Sequence, residues 1–224
     1  MENFTPHAVY RFLSGPALWF SMTVFLGGLA LRLGYLYRLS RRKDPVIFNH
    51  ASFRWGFKSI LFWLVPWATV AMRSQPVFTG VVFLFHFCLL AVPLFLDAHN
   101  VLWDEAFGVS LWSMPDVWAD GLTFAFLAAT LFVVVRRIVR PEVRILTSAW
   151  DYSLIALTAL PFLTGFLAYH QIGPYELMLP LHIGLAEILL IVIPFSKLAH
   201  MLLFFFSRAF IGFELGSRRG ARAW

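Results

Sequence analysis

Cysteine is almost absent from this sequence. Cys88 is the single example in 224 residues. No disulfide can form within one chain, no C-x-x-C-H attachment site for a c-type haem exists, and no Cys-ligated iron–sulfur cluster can be built. Any redox metal must rest on His, carboxylate or Met. Charge is scarce too. Only 13% of residues are Asp, Glu, Lys or Arg, while 60% are hydrophobic, against roughly 25% charged in a soluble domain. That is too little polar surface to cover a water-soluble globule. Internal repeats and low-complexity tracts are also missing. The first apolar run has no basic n-region and is too long for a signal h-region, so it is expected to be retained.

What is present is apolar length. A span of about 30 Å of hydrocarbon needs roughly 20 residues in a helix. Segments 15–39, 76–97, 117–139, 150–170 and 177–206 meet that length. The 25 Phe and nine Trp suit lipid and its interface; Trp103 and Trp112 look like interface anchors in the loop before residue 117. The expected fold is an all-α integral membrane five-helix bundle, one domain over 1–224. Segment 51–74 is apolar but carries Arg54, Lys58 and Arg73 and is interrupted by Pro66. It reads as an extra helix in the interface or packed under a partner.

The formal charge of +6 could mean nucleic acid or anionic lipid, but its distribution speaks for topology and gives no nucleic-acid partner. With the N-terminus outside, the inside regions collect Arg41-Arg42-Lys43, Arg54, Lys58, Arg73, Arg136, Arg137, Arg140, Arg144, Arg208, Arg218, Arg219 and Arg222. The outside regions hold Arg11 alone, with Glu2, Asp104, Glu105, Asp116 and Glu176, and Asp97 and Asp120 at their edges. By the positive-inside rule the C-terminus is cytoplasmic, and the chain is expected in the plasma (inner) membrane.

The histidines carry the chemistry. His182 and His200 are 18 residues apart on the last apolar segment. On one continuous helix that is five full turns, so both would point the same way about 27 Å apart. His86 lies within the second segment and His99 at its outer end. The two segments run antiparallel, so His86 is expected to meet His200 toward the inside and His99 to meet His182 toward the outside. Two facing imidazoles fill both axial positions of a b-type haem, which then transfers electrons and does not bind oxygen. The plainer reading is a polar residue bonding a neighbouring helix. His86 and His99, 13 residues apart, would be rotated by about 220° on a regular helix. Pro93 between them is expected to kink it.

These residues resemble a known family. Leu181-His182-Ile183-Gly184, followed by Pro194-Phe195-Ser196-Lys197-Leu198-Ala199-His200, is similar to the last helix of the gamma subunit of respiratory nitrate reductase. Arg136-Arg137 through Pro141, Val143-Arg144 and Asp151, and the triplet Leu84-Phe85-His86, resemble it as well. The resemblance implies five helices, two b haems on His86, His99, His182 and His200, quinol oxidation at the outer haem, and a cytoplasmic iron–sulfur partner. The 13-residue step and the long 39–75 region look more like the cytochrome b subunit of the transmembrane redox complexes (Tmc type) of sulfate-reducing bacteria. That likeness implies a heterodisulfide-reductase-like iron–sulfur partner and a periplasmic multihaem cytochrome c.

Other residues keep two readings each. Asp97, Asn100, His99, His170 and Gln171 could line a site for menaquinone, or be interfacial. Lys197 and Arg208 could pair with haem propionates or snorkel. Glu187 could relay protons or bond a neighbouring helix. Ser148 and Asp151 fit a capping box. The function expected is a dihaem electron-transfer subunit; the rival is an ion- or proton-conducting transporter without haem.

Overall fold

The computed structural model describes residues 6–221, so Glu2 and Arg222 of the charge argument lie outside the described residues. The described residues are helical, with no strand. The principal helices are α1 (His7–Lys43), α2 (Phe53–Leu64), α3 (Pro76–Phe95), α4 (Asp97–Phe107), α5 (Asp116–Val139), α6 (Ala149–Tyr169), α7 (Tyr175–Val192) and α8 (His200–Ile211). Among the described residues, six helical stretches are long and apolar enough to cross a membrane: α1, α3, α5, α6, Tyr175–Phe195 and Lys197–Arg218. The protein is therefore a multi-pass membrane protein. Apolar side chains such as Leu31 (78% exposed) and Val117 (82% exposed) cover its outer surface, as lipid allows and water does not.

The count of six corrects the expectation of five. The stretch 177–206 is not one helix. It gives way to short tight turns at Ile193–Phe195 and Lys197–Ala199, with Ser196 extended between them (φ −121°, ψ −175°). Pro194 has no N–H to continue the ladder, and the Ser196 hydroxyl accepts the Leu198 N–H and starts the next helix. His182 and His200 therefore stand on different helices, and the five-turn phasing between them does not hold. A second interruption separates His86 from His99. The expected kink at Pro93 is instead a break at Leu96 (φ −70°, ψ 132°), so the 220° offset does not apply. The first helix is longer than 15–39; around Pro16 it widens into a π turn, Leu13–Ala17, which relieves the clash of the proline ring with the preceding turn. Segment 51–74 holds α2 and a short helix, Val70–Ser74, parted by a turn at Trp67 (φ 57°).

Among the described residues two compact units are distinguished, one of 6–9 and 80–185, the other of 10–79 and 186–221. In the first, α5 packs on α6 through stacked Phe126 and Phe162, with ring centres 3.9 Å apart, and Phe126 is wholly buried. Thr123, Thr130, Thr158 and Thr164 return their hydroxyl protons to carbonyls of their own helices, which spares an apolar layer any unpaired O–H. Ser148 and Asp151 form the expected capping box at the start of α6. The segment after Gly108 folds back on α4. Asn100, 2% exposed, donates to Ser113 Oγ (3.0 Å) and accepts the Leu111 N–H (3.3 Å), while the Met114 N–H closes onto the Phe95 carbonyl (2.8 Å).

In the second unit, α2 lies against α8 and the turn after it. Gly212 and Gly216 admit the Trp55 backbone and ring where any Cβ would collide. Arg32 of α1 reaches the interrupted stretch and donates from Nη1 to the carbonyls of Pro194 (2.6 Å) and Ser196 (3.1 Å). One turn before it, Gly28 abuts Pro194; a Cβ there would stand 2.7 Å from the proline Cβ.

The Asn100 clamp generates a prediction. Asn100→Leu removes the bonds to the Leu111 N–H and the Ser113 hydroxyl, at about 0.5–1.5 kcal/mol for each. The 108–115 segment is expected to detach, and chymotrypsin should then cut after Leu111 or Trp112 far faster than in the parent.

Candidate functional site: a histidine pair

His99 and His182 come together within the first unit. Their ring centres are 6.0 Å apart and their planes differ by 14°. Offset aromatic pairs hold their centres about 4.5–7 Å apart. Two imidazoles bound to one metal through bonds of about 2 Å each would hold theirs roughly 6 Å apart. The spacing therefore leaves room for a metal between the rings and is also that of a plain stacked pair.

Each ring is fixed by a backbone carbonyl. Near the end of α3 the Pro93 carbonyl has outrun its ladder, and it accepts from His99 Nδ1 at 2.9 Å. The Pro161 carbonyl, midway along α6, accepts from His182 Nδ1 at 2.8 Å. A carbonyl can only accept, so the proton sits on Nδ1 and the lone pair on Nε2. This is the second-shell arrangement that orients a metal-binding histidine. Burial holds the His99 imidazole below its ordinary range, more than its bond to Pro93 raises it, so the ring is neutral at pH 7, the form that ligates. Gly165 completes the seat: a Cβ there would lie 2.8 Å from His182 Cε1 and 2.9 Å from Nδ1.

The other two histidines share the Nδ1 pattern. His86 is bonded to the Val82 carbonyl (2.7 Å) and His200 to that of Lys197 (2.9 Å). His170 is different. Its Nε2 is engaged with Asp120 at 2.9 Å, beside a Tyr169 hydroxyl that donates to Asp116 (2.7 Å). The atom that would coordinate is thus already committed. Asp97 is exposed in the first turn of α4, and Gln171 is exposed in a left-handed turn (φ 53°). Asn100 is occupied by its clamp. Of the residues grouped for menaquinone, only Asp97 and Asn100 share a helix with His99. Lys197 is exposed. The Arg208 guanidinium lies over Trp63, 3.7 Å from Cζ to the ring centre, with Nε buried and unbonded, a cation–π contact. Glu187 is buried, and its Oε1 has no hydrogen-bond partner.

No group of three or more His, Cys, Asp or Glu side chains converges among the described residues; a two-histidine site needs none. The sequence reading missed Gly165, the Pro161 carbonyl and Arg32. Arg32 had a signal, a charged residue inside an apolar span; Gly165 had none beyond its size.

Fold and site thus define a multi-pass helical membrane protein with paired, carbonyl-anchored histidines. A protein of Nitratidesulfovibrio vulgaris (strain Hildenborough), whose description reads only "Protein", is 44% identical over 216 residues, covering 95% of this chain and 96% of its own length. The chain belongs to the same family as that protein. No family model matches the sequence, and no solved structure matches it.

The Gly165 seat is testable without any cofactor. Gly165→Val should displace the His182 ring and cost about 1–3 kcal/mol by overpacking. In the His182→Ala background the same change should cost much less. Thermal unfolding of the four proteins in detergent measures the difference.

Proposed function

We propose that this chain is the dihaem cytochrome b subunit of a respiratory redox complex. The observation that carries the reading is the His99–His182 pair: near-parallel rings 6.0 Å apart, each with Nδ1 on a backbone carbonyl. The sequence expectation of a second b haem on His86 and His200 is part of this reading; each of these rings has its own Nδ1 on a nearby carbonyl. A haem held by two histidines would supply one-electron transfer without oxygen binding. The chain's part is to hold the rings, exclude water and set the surrounding polarity.

Electrons would pass between a menaquinone pool or a periplasmic multihaem cytochrome c on the His99–His182 side and a cytoplasmic iron–sulfur subunit on the His86–His200 side. That subunit would be heterodisulfide-reductase-like or nitrate-reductase-like. The basic residues Arg41, Arg42, Lys43, Arg54 and Lys58 support the second placement, as does the positive-inside rule for an inner membrane. His170 with Asp120 and Tyr169 with Asp116 provide proton-accepting groups for a quinol on the other side. Glu187, buried with an unbonded carboxyl oxygen, favours the rival reading of a haem-free proton path.

A pyridine haemochrome assay separates the two. The expected result is two haems per chain, all released by acidic acetone. His182→Ala and His99→Ala should each leave one, and His170→Ala should leave both. A colourless protein would leave the transporter reading.

A further inference from the structure

Arg32 is unexplained by the haem reading, and its geometry is specific. It projects from α1 into the interruption between α7 and α8 and binds two of its carbonyls through one nitrogen. Those carbonyls belong to Pro194 and Ser196, the residues that end one helix and start the next. Four residues past Ser196, at the first position of α8, stands His200, whose Nδ1 is bonded to the Lys197 carbonyl inside the same turn. The ring is thus oriented by a backbone segment that no regular helix supports. In hydrocarbon an unpaired carbonyl is costly, so the interrupted form competes with a straightened helix that would pair those carbonyls internally. A straightened helix would rotate His200. Gly28 secures the contact from the same face of α1, since any side chain there would push Pro194 away.

We infer that Arg32 is a positioning residue for the haem bound by His200: it holds the α7–α8 interruption open, and through it sets the direction of the His200 ring. The inference rests on the dihaem reading. It assigns a function to a charge that topology and lipid do not require.

The test uses full-length chain in detergent, in the His182→Ala background so that only one haem is read. Arg32→Gln removes the charge, and Arg32→Lys keeps it on a shorter, non-forked group. Amide exchange across 193–200 is the cofactor-independent readout, and the haem's midpoint potential and low-spin electron paramagnetic resonance signal are the others. In Arg32→Gln, exchange should rise about tenfold or more, as expected for the loss of a charged hydrogen bond. Haem affinity should fall about tenfold or more, as when the outer-shell partner of a ligand is removed, with a changed potential and signal. Arg32→Lys should restore part of each. If Arg32→Gln does not accumulate, Gly28→Ala should reproduce the same changes with the charge intact. Unchanged exchange overturns the inference, and so does raised exchange with an unaltered haem. A parent chain that carries no haem overturns the dihaem reading and the positioning role with it, while the exchange result alone still decides whether Arg32 holds the interruption.

Discussion

A carbonyl without a donor in hydrocarbon costs several kcal/mol, and much of this structure is an answer to that cost. The chain interrupts its helices at Leu96 and at 193–199. Each interruption releases carbonyls from the helical ladder. The Met114 N–H and His99 Nδ1 take up those of Phe95 and Pro93, and Arg32 takes up those of Pro194 and Ser196. Met114 and Arg32 reach in from outside the broken turns, while His99 belongs to the helix that starts just past Leu96.

The same arrangement links backbone to chemistry. A histidine that spends its Nδ1 proton on a carbonyl presents the lone pair of Nε2 in a direction the backbone decides. His99 and His182 do this on separate helices, and their rings end near-parallel at a separation suited to a shared metal. Direction comes from hydrogen bonding and closeness from the absence of a side chain at Gly165. Neither the helix period nor the spacing of the histidines along the chain carries this information.

That explains what could be read in advance. Apolar length revealed α3, α5 and α6 to within a few residues, because hydropathy over a span-length window is what lipid selects. The pairing of His99 with His182 followed from the antiparallel order of two helices and survives, although both phase arguments attached to it fail. Proline could not reveal the breaks. Pro161 and Pro180 lie inside continuous helices, while Pro194 sits where one ends and its carbonyl is met by Arg32, 162 residues away. Gly165 is one of 14 glycines, and only tertiary packing singles it out. Arg208 was legible as a cation near the His200 end, but its partner, Trp63, depends on how α2 meets α8.

The distance in sequence between Arg32 and its carbonyls has a meaning for biogenesis. Synthesis runs from the N-terminus, so α1 enters the bilayer early, and the residues that satisfy its arginine are made 162 and 164 positions later. A bare arginine at mid-membrane costs up to about 2.5–3.5 kcal/mol on insertion scales. For most of translation the nascent chain carries that debt, eased by snorkelling or by the insertion machinery. It is discharged only when residues 194–196 arrive, so a late step of synthesis also locks α1, and a chain cut short before Pro194 would hold an uncompensated charge in lipid and stand out to quality control.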